Sequence, residues 1–150
     1  MDEILKRLEL LHPKIIDLKL DRVKRLLRKL GNPEKSIPPV IHVAGTNGKG
    51  STIAMIKSGL QRSGFRTHTY TSPHLVSFNE RIEVADKRIS EDALKEVLNE
   101  CEKVNNSQPI TFFEITTCAA FLAFSRASAD YTLLEAVSYT HLRAHETQSD

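Results

Sequence analysis

The residues most able to do chemistry lie between Val40 and Thr52, in the stretch V-I-H-V-A-G-T-N-G-K-G-S-T. Three glycines in this stretch allow the backbone to take positive φ and to approach a ligand closely. Lys49 offers a mobile positive charge to phosphate oxygens, and Ser51 or Thr52 offers a hydroxyl to a magnesium ion. The stretch therefore predicts a binding site for a phosphate-bearing ligand.

The segments around the glycines position these groups. Val40 to Ala44 is short, apolar and β-branched, which is typical of a buried strand. From about Lys49 the pattern is helical and ends near Gly64, with one apolar face formed by Ile53, Ile56 and Leu60. A strand, a glycine-rich loop and a helix together direct backbone N–H groups and the positive helix end at an anion.

This loop differs from the standard phosphate loop in two places. The standard form has a glycine five places before the Gly-Lys pair, where this chain has Val43, and it has no glycine between the lysine and the hydroxyl residue. A glycine-rich turn that binds nothing is the alternative interpretation. We favour phosphate binding because the glycines, the lysine, the hydroxyls and both flanking elements agree.

Two further candidate positions follow predicted strands. Residues 65–70 predict a strand that leads into Thr71-Ser72-Pro73-His74, and residues 130–135 predict a buried strand that ends on Glu135. Ligands of open parallel α/β sheets gather beyond the carboxyl ends of the strands. Glu135 is therefore a candidate magnesium ligand, with a surface glutamate as the alternative. His74 by itself is better explained as an exposed histidine in a polar turn.

Residues 111–124 are apolar nearly all round and predict a core helix. Its start, Thr111-Phe112-Phe113-Glu114, fits a capping box in which Glu114 reaches back to the Thr111 N–H. This structural role competes with a functional role for Glu114, and both can hold.

The remaining segments predict amphipathic helices, except for one segment whose structure the sequence leaves undecided. Helices are expected over residues 2–11, over 20–30, and after a Ser90 cap with a buried stripe of Leu94, Val97, Leu98, Cys101 and Val104. Residues 82–89 fit either a hairpin or an irregular excursion. The second helix carries five basic residues, Arg22, Lys24, Arg25, Arg28 and Lys29. They predict a solvated face rather than a nucleic-acid surface, because no aromatic residue lies among them on which a nucleic-acid base could stack.

Composition is that of an ordinary globular chain. The chain has 150 residues, of which 40% are hydrophobic and 27% charged, and its net charge is +2, so one domain is expected. No apolar run approaches the roughly 20 residues that span a bilayer, and no secretory signal opens the chain. Cys101 and Cys118 suit a reducing cytoplasm, although a disulfide between them is an open alternative.

Several segments together resemble one enzyme family. They are A-G-T-N-G-K-G-S-T, T-S-P-H-L with F-N-E-R-I, T-F-F-E and L-L-E, with L-D-R-V and L-G-N-P near the N-terminus. In this order they resemble folylpolyglutamate synthase and dihydrofolate synthase of the Mur ligase superfamily. The resemblance covers about residues 1–135.

The resemblance implies a fold and an activity. The fold would be the α/β ATP-binding domain of a Mur-type ligase, with a phosphate loop and a mostly parallel sheet flanked by helices, here truncated. The activity would be ATP- and Mg²⁺-dependent addition of L-glutamate to dihydropteroate or a reduced folate through an acyl phosphate. It also implies a cytoplasmic protein, monomeric at full length, whose partners are small molecules and neither nucleic acid nor membrane.

The resemblance also assigns roles to residues. The nucleotide would lie on Gly45, Thr46, Asn47, Gly48, Lys49, Gly50, Ser51 and Thr52, with Lys49 as the catalytic group. Magnesium would be held by Ser72 and Glu135. The pterin pocket would be bordered by Leu20, Asp21, Arg22, Thr111, Phe112, Phe113 and Glu114. Phe112 or Phe113 would stack on the flat ring, although either residue fits the core equally well.

The resemblance ends at Glu135. The family continues with a glycine-rich segment, whereas residues 136–150 contain no glycine. We interpret these residues as a non-family tail, disordered or joined by a frameshift, vector or assembly artefact, and expect the family's C-terminal domain to be absent. His141 and His145 lie four residues apart, but two histidines without a third ligand make a weak metal site.

Two alternative functions remain open at this point. The first is another Mur-type amino-acid ligase, against which the T-F-F-E segment and the N-terminal helices argue. The second is a non-catalytic nucleotide-binding module.

Overall fold

The computed structural model describes residues 1–12, 20–43, 49–71 and 77–135. The described residues form five α-helices and five β-strands. The helices are α1 (Asp2–Glu9), α2 (Asp21–Lys29), α3 (Lys49–Arg62), α4 (Glu91–Asn105) and α5 (Phe112–Ser125). The strands are β1 (Val40–Val43), β2 (Thr67–Tyr70), β3 (Ile82–Val84), β4 (Lys87–Arg88) and β5 (Tyr131–Glu135). Short 3-10 helices cover Pro33–Lys35 and Phe78–Arg81.

The chain divides into two compact units. The helical unit consists of Met1–Ile37 and Ser90–Arg126 and contains α1, α2, α4 and α5. The sheet unit consists of Pro38–Ile89 and Ala127–Asp150, is described as far as Glu135, and contains α3 and all five strands.

The sheet has the strand order β1-β5-β2-β3-β4. β5 is parallel to both β1 and β2, whereas β3 is antiparallel to β2 and β4 is antiparallel to β3. The predicted α/β class with a mostly parallel sheet is thereby confirmed, and an antiparallel hairpin extends one edge.

Helix α3 packs its apolar stripe against the parallel strands. Ile53 is buried with Val43 of β1 and Leu133 of β5, and the partly buried residues around them are Ile41, Ile56 and Leu60. Gly64 follows the helix at φ +86°, and the Phe65 N–H donates to the Leu60 carbonyl at 2.9 Å. A left-handed glycine ends a helix in this way because it has no Cβ. The predicted strand, stripe and stop are therefore confirmed.

Residues 82–89, whose structure the sequence left undecided, form a hairpin. Its turn residues Ala85 and Asp86 have φ +49° and +71°, as the primed turns of two-residue hairpins require. The turn is fastened to β2, because the Ala85 N–H donates to His68 Nδ1 at 2.9 Å and the Thr67 N–H and hydroxyl donate to Asp86 Oδ1 at 3.1 and 3.0 Å.

Helix α4 begins at its predicted cap, where the Ser90 hydroxyl accepts the Ala93 N–H at 3.1 Å. Four of the five residues predicted in its stripe are buried, whereas Val104 is half-buried. The neighbouring Asn105 is buried instead, because its side chain accepts from Arg25 Nη2 at 2.8 Å and donates to the Gln108 carbonyl at 2.9 Å. Helix α5 is buried from Phe112 to Phe124, as predicted for a core helix.

The prediction of a solvated basic face on α2 is wrong for two of its residues. Arg22 and Arg25 are half-buried, and their guanidinium groups contact the Glu114 carboxylate and the Asn105 amide oxygen. Lys24 is half-buried, and only Arg28 and Lys29 of the five are exposed. A periodicity argument places charges on one face, but it does not show which polar groups of other segments meet that face.

The cysteines are both unpaired and buried, so the alternative of a disulfide does not hold. Burial raises the pKa of the Cys101 thiol to about 12 and raises the pKa of the Cys118 thiol well above its usual value. Both therefore behave as small apolar side chains. No helix among the described residues is long and apolar enough to cross a membrane.

Candidate functional site

The three parallel strands end at the same level of the sheet. Val43 of β1 lies beside Glu135 of β5, and Tyr70 of β2 lies beside Leu134. Residues 44–48 follow β1 directly, and residues 72–76 follow Thr71 after β2. The strands β1 and β2, which lead into the two segments that the sequence singled out, therefore both end at the carboxyl edge, with Glu135 on the strand between them.

Several predicted site residues lie outside the described residues. They are Gly45, Thr46, Asn47 and Gly48 of the glycine-rich loop, together with Ser72 and the side chain of Lys49. Their roles stay predictions.

The described residues of the stretch from Val40 to Thr52 are those of β1 and the first turn of α3. The helix begins at Lys49, and the Ser51 and Thr52 side chains are exposed. The first N–H groups of an α-helix have no partner within the helix, so they are available to an anion.

Gly50 differs from the prediction in its backbone conformation, whereas its predicted contact with a nucleotide stays a prediction. It lies inside α3, and it is not among the glycines with positive φ. A Cβ at this position would have nothing within 4 Å. Neither backbone conformation nor neighbouring atoms among the described residues require a glycine here, and the open space leaves the first helical turn accessible to a ligand.

Glu135 is buried, with 6% of its surface exposed, so its interpretation as a surface glutamate does not hold. Among the described residues its carboxylate has no hydrogen-bond or ion-pair partner. A buried carboxylate is costly unless it meets a cation or protonates. This position, at the end of a strand beside the phosphate-binding stretch, fits a ligand of a divalent cation.

The described residues alone do not complete a metal site. They contain no group of three or more His, Cys, Asp or Glu side chains arranged to hold a metal ion. A cation at Glu135 would draw its other ligands from the parts of the chain outside the described ranges or from bound molecules, as Mg²⁺ commonly does.

The sequence did not predict a cleft that runs along one side of α3. It is open, has a volume of about 310 Å³, and is lined by Gly50, Ile53, Lys57, Thr69, Thr71 and Glu83, among others. Lys57 Nζ contacts Glu83 Oε1, and Thr69 Oγ1 is buried without a partner among the described residues. The alternation T-H-T-Y-T indicates that the threonines of β2 share one face of the strand. The sequence gives no such signal for Glu83, which lies beside them because β3 pairs it with Thr69.

In the helical unit the structure brings Arg22 of α2 to Glu114 of α5. Arg22 Nε donates to Glu114 Oε1 at 2.8 Å and Nη2 donates to Oε2 at 3.3 Å. The Thr111 N–H also donates to Oε1 at 2.9 Å, and the Thr111 hydroxyl accepts the Glu114 N–H at 3.2 Å. The predicted capping box is confirmed, and the same carboxylate holds an ion pair that the sequence did not predict.

The other residues predicted for the pterin pocket lie next to Arg22 or Glu114 in the sequence. Phe112 and Phe113 are each 9% exposed, so the core interpretation holds for the larger part of both rings. Leu20 is half-buried and Asp21 is exposed at the start of α2. The predicted pterin residues all belong to the helical unit, and the predicted nucleotide and metal residues belong to the sheet unit.

The curated proteins that are similar to this chain are enzymes of one type. No family profile matches the chain. Curated relatives include the dihydrofolate synthase/folylpolyglutamate synthase of Bacillus subtilis, 43% identical over 124 residues, covering 77% of this chain and 28% of the relative. The enzyme of the same name from Escherichia coli is 40% identical over 131 residues, covering 87% of this chain and 31% of the relative.

Solved structures agree with these relatives. Escherichia coli FolC in complex with DHPP and ADP superposes with a TM-score of 0.84 and 38% identity, covering 91% of this chain and 33% of that one. A bifunctional folylpolyglutamate synthase/dihydrofolate synthase with Mn, AMPPNP and L-glutamate bound gives a TM-score of 0.79 and 34% identity, covering 89% of this chain and 32% of that one.

The superpositions show that the chain shares the fold of those enzymes, and it spans about 30% of the length of the relatives named above. Over most of its own length, the chain is a homologue of the folylpolyglutamate/dihydrofolate synthases.

Proposed function

We propose that this chain carries the nucleotide-binding part of an ATP-dependent amide ligase that joins L-glutamate to dihydropteroate or a reduced folate. The observation that carries the proposal is the register of β1 and β5, which sets the buried Glu135 beside the strand that leads into the phosphate-binding stretch. The similar enzymes support it, because their structures hold ADP with DHPP, or AMPPNP with Mn and L-glutamate.

The chemistry demands activation of a carboxylate. MgATP supplies the phosphoryl group that converts a carboxylate, a poor electrophile, into an acyl phosphate that an amine can attack. The protein's contribution to such a transfer is mainly positioning and neutralisation of charge. In this chain the first turn of α3 offers N–H groups and the Lys49 charge to the phosphates, and Glu135 offers a carboxylate to magnesium.

The helical unit contributes to the proposed acceptor site. Arg22 and Glu114 hold α2 and the start of α5 together through a bidentate pair. Because the Glu114 carboxylate already accepts from Arg22 and from the Thr111 N–H, its role in this proposal is to position the start of α5. Phe112 and Phe113 then remain the candidates for contact with the pterin ring.

We further infer that the protein works in the cytoplasm on small molecules, as a monomer at full length and without nucleic acid. The unpaired, buried thiols of Cys101 and Cys118 support a reducing compartment. The absence of a nucleic-acid surface is supported by Arg22 and Arg25, which are used in contacts within the helical unit.

The proposal is tested by equilibrium binding of ATP to the 150-residue chain, with and without Mg²⁺, by calorimetry. Lys49→Ala should weaken binding of MgATP about 10-fold or more, because it removes a charge-assisted contact to phosphate. Glu135→Gln should abolish most of the gain in affinity that Mg²⁺ gives. Glu91→Gln, at an exposed position in α4, is the matched control. No binding by the unaltered chain, or equal affinity in all four proteins, would refute the nucleotide site.

A further inference from the structure

Arg81 is a half-buried cation that lacks an anionic partner among the described residues. Its Nε is buried and has no hydrogen-bond acceptor there. By contrast, Arg7, Arg22 and Arg126 each hold a glutamate carboxylate at 2.6–3.0 Å. Buried donors are nearly always satisfied in native structures, because an unmade hydrogen bond retains the full cost of desolvation. The guanidinium group therefore has donors for an acceptor that lies outside the described residues.

Two contacts hold Arg81 in place. Its guanidinium carbon lies 5.0 Å from the centroid of the Phe78 ring, and that ring is 2% exposed. Its carbonyl accepts the Thr71 N–H at 2.8 Å. Both contacts leave the guanidinium N–H groups available, since the ring contacts the face of a cation and the carbonyl belongs to the main chain.

The strand register places Arg81 on the carboxyl edge already described. Tyr70 of β2 pairs with Ile82 of β3 on one side and with Leu134 of β5 on the other. Arg81, which precedes Ile82, is therefore level with Glu135, which follows Leu134. Neighbouring strands lie about 4.8 Å apart, so roughly 10 Å separates the two backbones along the edge. One extended anionic ligand can contact both neighbourhoods.

We propose that the Arg81 guanidinium binds an anionic oxygen of the ligand at this edge. The inference rests on the proposed function and adds a binding residue to it. The group that would be bound is a planar or tetrahedral group of charged oxygens. A guanidinium group can donate two parallel hydrogen bonds to such a group. That group belongs either to the nucleotide phosphates or to the carboxylate of the acceptor.

The test uses the 150-residue chain with Arg81→Gln, which removes the charge but keeps a polar side chain. Arg88→Gln is the matched control, since Arg88 is exposed in β4 of the same hairpin. Affinities for MgATP and for dihydropteroate are measured separately by calorimetry. Arg81→Gln should bind one of them about 10- to 100-fold more weakly than the control does, and the ligand affected identifies the source of the anion.

A purely structural role is separated by thermal unfolding. Contact with Phe78 predicts a lower melting temperature for Arg81→Gln, whereas Arg81→Met keeps the apolar stem over the ring and should restore it without restoring affinity. Equal affinity of Arg81→Gln and the control for both ligands would overturn the inference and leave the proposed function standing. If the unaltered chain bound neither ligand, the proposed function would fail and this inference with it.

Discussion

Two buried glutamates of this protein differ in what meets their carboxylates. Glu114 accepts three hydrogen bonds, two from Arg22 and one from the Thr111 N–H. Glu135 accepts none from the described residues. Since a buried charge is stable only when a cation or several donors meet it, the first is satisfied by the protein itself, and the second suits the magnesium ligand that we propose.

Glu114→Gln should lower the free energy of unfolding by about 2 kcal/mol, because glutamine keeps the capping contact but loses the charge that faces Arg22. The capping box by itself predicts only a small loss of stability, because glutamine can also reach the Thr111 N–H. The ion pair, in which the side chains are 19% and 3% exposed, reverses that expectation. Urea denaturation measures the difference.

Glu102→Gln is the control for this prediction, because Glu102 pairs with Arg7 in an exposed setting, where solvent screens the charges, and should contribute much less to stability. A double-mutant cycle with Arg22→Met separates the ion pair from the cap. A loss at Glu114 no larger than that at Glu102 would show that the pair adds nothing to the capping box.

The β3–β4 hairpin contains a residue in an unfavourable conformation. Ala85 has φ +49°, which costs an alanine about 1 kcal/mol relative to a residue that tolerates the left-handed region. Ala85→Asn should therefore raise the free energy of unfolding by about 0.5–1 kcal/mol, since asparagine is preferred in primed turns. Ala85→Val should have the opposite effect, because a β-branched side chain clashes at positive φ. The same sign for both variants in chemical denaturation would contradict the assignment of the turn.

The same turn should give the protein a measurable sensitivity to acid. Burial opposes ionisation of Asp86, but hydrogen bonds from Gln61 and from the Thr67 N–H and hydroxyl lower its pKa on balance. A carboxyl whose pKa is lowered in the folded state stabilises the protein fully above the ordinary aspartate pKa of about 4 and loses this effect as the pH falls through the folded value.

Asp86→Asn should therefore make the free energy of unfolding depend less on pH below about 4, and the slope of that free energy against pH should stay unchanged at higher pH. The measurement is the urea midpoint at a series of pH values from about 5 downward. Parallel curves for the variant and the unaltered protein would show that the Asp86 carboxylate does not fasten the turn to β2.

Local sequence signals predicted the elements well. The T-F-F-E cap of α5, the Ser90 cap of α4 and the glycine stop after α3 each depend on residues within one or two helical turns, and each is confirmed. These interactions require no knowledge of distant segments.

Contacts between distant segments could not be predicted in the same way. Arg22 meets Glu114, which is 92 positions later in the chain, and Arg25 meets Asn105, which is 80 positions later. Arg81 reaches the carboxyl edge only through the pairing of β2 with β3. Periodicity gives the face of an element, whereas register and tertiary packing decide what that face meets.

The two units divide the proposed work. The sheet unit carries the phosphate-binding stretch and Glu135, and the helical unit carries the Arg22–Glu114 pair and the phenylalanines of T-F-F-E. A non-catalytic nucleotide-binding module would need only the first group. Another Mur-type ligase would use a different acceptor, so binding of dihydropteroate distinguishes both alternatives from the proposed function.

The 150-residue polypeptide should not form a glutamate-dependent product by itself. It matches about 30% of the length of its relatives, and an acyl phosphate must be shielded from water and presented to an amine. Within the described residues β1 is paired only with β5, which leaves a strand edge that favours aggregation. An assay for ATP-dependent ligation, with the Bacillus subtilis relative as positive control, checks this expectation. Turnover by the 150 residues would show that they contain a complete active site.

The central claim is that the sheet unit binds a magnesium nucleotide and that the helical unit binds the pterin. The most direct measurement is an NMR titration of the ¹⁵N-labelled chain, first with MgATP and then with dihydropteroate. MgATP should shift the amide resonances of residues 43–53 and Glu135, and dihydropteroate should shift those of Arg22 and residues 111–114. No shifts with MgATP, or shifts confined to the hairpin and the exposed faces of the helices, would contradict the account.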